Sequence, residues 1–152
     1  MSFDRRSILG AALAVPTALA VGAASTVPAS AAPAEGGVQA GAWTDLVLAP
    51  GITAAEGAPP QVRLITIAGT AFLQARGSIT CDLTADTRIA SLPAGFGSPT
   101  AHIRATAPRN NSAGINACRF EISPAGSVSL YGPNAGNPLT WAQFDSVQTI
   151  WR

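Results

Sequence analysis

The stretch DTRIASLPAGFGSP, residues 86–99, decides how the fold is read. It opens as a strand, with Ile89 and Leu92 among small and polar residues. Pro93 stops the strand, and Gly95, Gly97 and Pro99 follow within six residues. Proline fixes φ, and glycine reaches conformations that other residues avoid. The result is a rigid turn centred on one aromatic, Phe96. Two readings stand: a structural corner in which Phe96 folds back over the end of a β domain, and a loop that touches a ligand.

The same grammar runs outward on both sides. From Trp43 onward the chain alternates short apolar-phased runs with breakers such as PGITAAEGAPP, SPAGS and YGPNAGNP. No segment repeats apolar residues at helical spacing. Eight strands are expected, at about 42–48, 61–68, 71–81, 86–91, 100–107, 114–122, 127–131 and 143–151. Short strands with frequent Gly/Pro turns indicate an all-β fold, a jelly-roll-like antiparallel β-sandwich. In 71–81, Ala71, Leu73, Ala75, Gly77, Ile79 and Cys81 share one face, opposite Phe72, Gln74 and Arg76. That is the alternation of a sheet with one wet face. In 100–107 the only histidine, His102, falls on the polar face together with Arg104.

The first 31 residues read as an address. Arg5 and Arg6 precede an apolar run from Ile8 to about Ala24, and Ala29-Ser30-Ala31 fits signal-peptide cleavage after Ala31. Pro16 and Gly22 interrupt the run, which argues against a permanent membrane span. The pair in DRRSIL resembles the twin-arginine export signal, although Asp4 stands where Ser or Thr is usual; a general secretory signal is the other reading. Residues 32–41, APAEGGVQAG, read as a flexible leader, and 42–152 as the β domain. Secreted, extracellular localisation follows from either signal.

The chain holds nine arginines and eight acids, and no lysine. Asp4, Arg5 and Arg6 fall in the signal, so seven of each sign remain and the exported chain is neutral. This is not the footprint of a nucleic-acid binder or a polybasic membrane-surface protein. Cys81 and Cys118 both fall on the apolar phase of their strands. Outside the cell such a pair is expected to form one disulfide, worth about 4 kcal/mol if unstrained. Two separate buried thiols are the alternative.

WTDLVLAPG, PPQVRLITIAGTAFLQARGSI, IASLPAGFGSP, RFEISPAGSVSL and a last strand after WAQF occur in an order that resembles a known family. It is the C-terminal head, or receptor-binding, domain of phage tail-fibre and baseplate proteins, and the resemblance covers about residues 42–152. It implies a trimeric jelly-roll-like domain that binds cell-surface saccharide and performs no chemistry. It also implies that LPAGFGSP is the structural corner. The export signal departs from a phage structural protein, so the chain looks like the same module used as a stand-alone secreted protein.

The chemistry of an enzyme is not found. The exported chain has one histidine, one tyrosine and no nucleophile elbow around any serine. Asp82 and Asp86 are one acidic pair, too few for calcium, and His102 with two cysteines is too few for zinc. No catalytic residue, metal or cofactor is expected. Binding has more support, because sugars are read by aromatic faces and by Arg, Asn and Asp side chains. The ligand candidates are Tyr131, Asn134, Asn137 and Trp141 of YGPNAGNPLTW, with His102 and Arg104 on a neighbouring strand. Trp43 and Trp151 are expected in the core or at a subunit interface. A small secreted inhibitor or protein-interaction domain, presenting PRNNSAG to a protease, is the alternative function.

Overall fold

The computed structural model describes residues 37–152. Arg5, Arg6 and the Ala31 cleavage point lie outside the described residues. Thirteen strands form among those that are described: β1 (Val38–Ala40), β2 (Thr44–Asp45), β3 (Val47–Leu48), β4 (Thr53–Ala54), β5 (Gln61–Ile67), β6 (Thr70–Arg76), β7 (Ser78–Leu83), β8 (Thr87–Ser91), β9 (Ile103–Ser112), β10 (Ile115–Ile122), β11 (Ser127–Tyr131), β12 (Leu139–Gln143) and β13 (Gln148–Ile150). All pair antiparallel, in two sheets. The smaller runs β1-β5-β6-β13, with β2 also on β5; the larger runs β3-β8-β11-β10-β9-β12-β7-β4. No helix among the described residues is long and apolar enough to cross a membrane.

One apolar core lies between the sheets. Val62 and Leu73 come from the smaller sheet, and Ile79, Ile89, Ile103, Phe120, Ile122, Val128 and Leu130 from the larger. Each is at most 1% exposed. Burying a side chain of this size stabilises by about 1.5–3 kcal/mol, so the core carries the fold.

The 86–99 stretch is a corner. Ile89 and Ala90 are buried on β8, and the chain then turns through Gly95 (φ 81°) and Gly97 (φ 87°). The Phe96 amide donates to the Pro93 carbonyl at 3.1 Å. Phe96 packs against the core and meets Trp151 edge-on, ring centroids 5.7 Å apart. The Leu92 amide ties the corner to the β10–β11 hairpin through the Gly126 carbonyl, 2.8 Å away.

Several expectations need correction. Residues 38–40, read as flexible leader, form β1 and pair with β5. The single strand expected over 71–81 is two, split at Gly77, with β6 in one sheet and β7 in the other. The strand expected over 143–151 shrinks to β13, and β12 begins inside what was read as the 131–141 loop and runs on to Gln143. The strand expected over 100–107 runs on to Ser112, so PRNNSAG is no protruding loop: β9 and β10 join through a tight turn at Ala113 and Gly114.

The expected disulfide is absent; Cys81 and Cys118 are free thiols. Cys81 is on β7 and Cys118 on β10, with β12 and β9 between them in the sheet. Strands are spaced at about 4.8 Å, whereas a bridge needs Cα atoms within about 7 Å. Each thiol turns instead to a neighbouring strand, Cys81 Sγ to the Leu139 carbonyl at 3.4 Å and Cys118 Sγ to the Ala107 carbonyl at 3.5 Å. Sharing an apolar phase did not make the two strands adjacent.

Candidate functional site

The outer face of β9, β10 and β11 carries a connected polar array. Register places Arg104 opposite Glu121, and Arg119 opposite both Thr106 and Tyr131. Cross-strand partners in direct opposition share a face and touch. Glu121 is the hub. Its Oε1 lies 2.9 Å from His102 Nδ1, and its Oε2 accepts from Arg104 Nε at 2.7 Å, with Arg119 Nε at 3.5 Å. The Arg119 guanidinium lies over the Tyr131 ring, 4.1 Å from its centroid. A cation held over an aromatic face gains about 0.5–1 kcal/mol at an exposed site.

The array is asymmetric. The Glu121 side chain is 7% exposed, while those of Arg104, Arg119 and His102 are 60%, 50% and 47% exposed. The acid is roofed by its partners, and the cations face outward. Burial pushes the Glu121 carboxyl up, but bonds from Arg104 and His102 and the charges of Arg104 and Arg119 outweigh it, so its pKa lies below the ordinary value of 4.5. A carboxylate with a depressed folded-state pKa stabilises the fold above its unfolded pKa. That contribution is complete above about pH 4.5 and disappears as pH falls through the lower, folded value. Asp145 shifts in the same direction, through bonds from Gln143 and the Gly77 amide. In urea unfolding between pH 3 and 7, wild type is expected to lose stability below pH 4.5 more steeply than Glu121→Gln. Parallel curves would show that Glu121 contributes nothing of this kind.

Beside the array opens a groove of about 560 Å³, within the size range of small-ligand sites. Arg104 and Thr106 line it from β9, Asn116 and Ala117 from β10, Ser146 from the segment leading into β13, and Gln148 from the start of β13. Arg104 thus belongs to both array and groove. Guanidinium, amide and hydroxyl groups around a partly apolar floor suit a polyhydroxylated ligand.

The structure therefore brings together Tyr131, His102 and Arg104, through two residues that sequence reasoning did not single out, Glu121 and Arg119. Only the outward phase of 114–122 hinted at those two. The other candidates lie elsewhere. Asn134 is exposed and pairs with Asn137 across a tight turn. Asn137 is buried against Arg109, its Oδ1 accepting from Nη2 at 3.0 Å. Trp141 is 41% exposed on β12, opposite Thr80 of β7. Asp86 is spent on the Gly132 amide at 2.8 Å, and no cluster of His, Cys, Asp or Glu among the described residues could hold a metal ion.

A second concavity, about 430 Å³, is lined by Gly57, Pro59, Gln61, Arg76, Gly77 and Asp145. Trp43, expected in the core or at an interface, lies outside the core, where with Arg76 and Asp145 it lines a smaller cleft of about 150 Å³. Arg63 and Arg76 lie over its ring at 4.4 and 4.3 Å. Both arginines are held by glutamines, Arg63 by Gln74 and Arg76 by Gln61.

No protein-family profile matches this chain, and no curated protein matches it in sequence. Solved structures do. The receptor binding protein (gp15) of Listeria phage PSA is similar at 17% identity with a TM-score of 0.55, over 78% of this chain and 67% of that one. The head domain of the lactococcal phage bIL170 aligns at 19% identity with a TM-score of 0.48, over 73% of this chain and 98% of that one. At such identity the likeness is one of fold: the described residues share the antiparallel β fold of the Listeria phage protein.

Proposed function

We propose that the chain is an exported, non-catalytic binding module that recognises saccharide through the Arg104–Glu121–Arg119–Tyr131 array and the adjoining groove, as a homotrimer. The array beside the groove carries the reading: outward cations, one aromatic and hydroxyl- and amide-bearing walls on a rigid sheet. Export rests on the DRRSIL signal and the cleavage pattern after it. Surplus positive charge on the array favours sugars that bear acidic groups over neutral ones. The fold likeness supports a receptor-binding role. The inhibitor alternative loses its support, because its candidate loop is strand and tight turn.

Trimerisation is supported by the outer face of the smaller sheet. Register aligns Val38 with Ile67, and Ala40, Ile65, Phe72 and Ile150 in the next row. Val38, Ile67 and Ile150 are 67%, 39% and 52% exposed. Period-two alternation explains the division at the chain end: Trp151 turns in to the core and Ile150 points out. A contiguous apolar face of this kind marks an interaction surface.

Binding to a polymeric glycan panel, neutral and acidic, tests the proposal. Single-site affinity near millimolar and about 10²–10⁴-fold tighter binding to polymer are expected for a trimer. Arg104→Ala is expected to weaken binding at least about tenfold, with its fold intact by circular dichroism, while Trp141→Ala binds as wild type. Sedimentation equilibrium should give three times the chain mass. Unchanged binding by Arg104→Ala removes the site, and a monomer mass at micromolar concentration removes the trimer.

A further inference from the structure

Arg109 is the anomaly of the core. It continues the inward phase of β9 after Ile103 and Ala107, and it is 2% exposed. A guanidinium carries five N–H donors and is always charged. Arg109 Nε donates to the Asn110 carbonyl at 3.3 Å. Nη2 meets the Asn137 carbonyl at 3.1 Å, Asn137 Oδ1 at 3.0 Å and the Pro138 carbonyl at 2.6 Å. Nη1 has no partner, and neither has Nδ2 of Asn137, which is 3% exposed. Both orphans are donors, on two side chains already bonded to each other.

No carboxylate answers the charge. The ion pairs among the described residues all converge on Glu121. The nearby thiols do not supply an anion either. Burial pushes Cys118 up to about 11, against the pull of Arg109; burial, reinforced by Asp82 and again opposed by Arg109, pushes Cys81 up to about 11. Both stay neutral at ordinary pH. A buried, uncompensated ion costs several kcal/mol even after relaxation. Carbonyl dipoles offset part of this, but a water molecule at the orphan donors would satisfy hydrogen bonds without cancelling charge.

We infer that Arg109 Nη1 and Asn137 Nδ2 hold a buried monatomic anion of the halide class, chloride in ordinary media, inside the larger sheet. A halide accepts from several N–H donors at once, makes no angular demand and neutralises the guanidinium. Sulfate or phosphate does not suit the site, since a tetrahedral oxyanion presents more acceptor oxygens than the two free N–H groups can serve. The anion also explains why the turn holding Asn134 and Asn137 is anchored inward. The inference stands independently of the saccharide reading.

Thermal unfolding of the folded protein at constant ionic strength, with chloride replacing gluconate, tests it. Above the dissociation constant, each tenfold rise in chloride is expected to raise the melting temperature by about 5 °C. Asn137→Asp puts a fixed negative charge beside the guanidinium and should abolish that dependence. Arg109→Met should abolish it too; if that variant does not fold, Asn137→Asp and the wild-type titration still decide. Crystals grown in bromide should show an anomalous peak against Nη1 and Nδ2. Equal melting in chloride and gluconate overturns the inference, and so does full chloride dependence in Asn137→Asp. A bromide peak without a solution effect, or a water in that place, overturns it as well.

Discussion

Gly77→Ala is expected to cost about 4 kcal/mol or more, a large part of the 5–15 kcal/mol that holds a domain of this size together. Gly77 is where the chain leaves β6 and enters β7, passing from one sheet to the other. Its φ is 85°, which disfavours any side chain. A Cβ there would also lie 2.1 Å from the Pro59 carbonyl oxygen and 2.6 Å from its carbon. These are backbone atoms, so no rotamer change relieves the overlap. Two bonds converge on the same residue: its amide donates to Asp145 Oδ1 at 2.9 Å, and its carbonyl accepts from the Phe144 amide at 2.8 Å. Gly95→Ala is the control. Its φ is 81°, but nothing lies within 4 Å of the added methyl, so it should cost only about 1–2 kcal/mol. Urea unfolding of both variants separates crowding from backbone strain. Equal, small losses would show that the Pro59 segment yields.

Phe120→Ala is expected to lose about 3–5 kcal/mol. Phe120 is fully buried on β10, and its ring meets Phe144 at a centroid distance of 5.4 Å and an interplanar angle of 59°. Removing it leaves a cavity between the strand that carries the array and the segment before β13. Its chain neighbours, Arg119 and Glu121, point the other way, so Phe120 anchors the strand from which the site hangs. The loss should appear as a lower urea midpoint with an unchanged slope. A loss under about 1 kcal/mol would mean that the core collapses to fill the space.

Much of the architecture was legible, and the exceptions have physical causes. The alternation through 71–81 reported the buried face correctly: Leu73, Ala75 and Ile79 are buried. It could not report the break, because Gly77 keeps the phase while changing the sheet. β12 was hidden by the two prolines and two glycines of YGPNAGNP, which mark turns whether or not a strand follows. β1 is three residues with no buried side chain, so it left no pattern to read. The corner at 93–99 was readable because Pro and Gly act locally.

The site was half legible for the same reasons. Alternation placed His102 and Arg104 on the wet face. Which carboxylate they would share depended on the β9–β10 register, a non-local property. Asn137 looked like a sugar reader, but its buried partner sits on a part of β9 that looked like a turn. The cysteines shared a phase, yet phase says nothing about how many strands intervene.

The most direct test of the central claim is to map the backbone amide shifts of isotopically labelled protein as an acidic oligosaccharide is added. Perturbations gathered at Arg104, Thr106, Asn116, Arg119, Tyr131 and Gln148, and absent from Trp141, are the expected result. Shifts gathered instead around Trp43, Arg76 and Asp145, or no shifts at millimolar sugar, would contradict it.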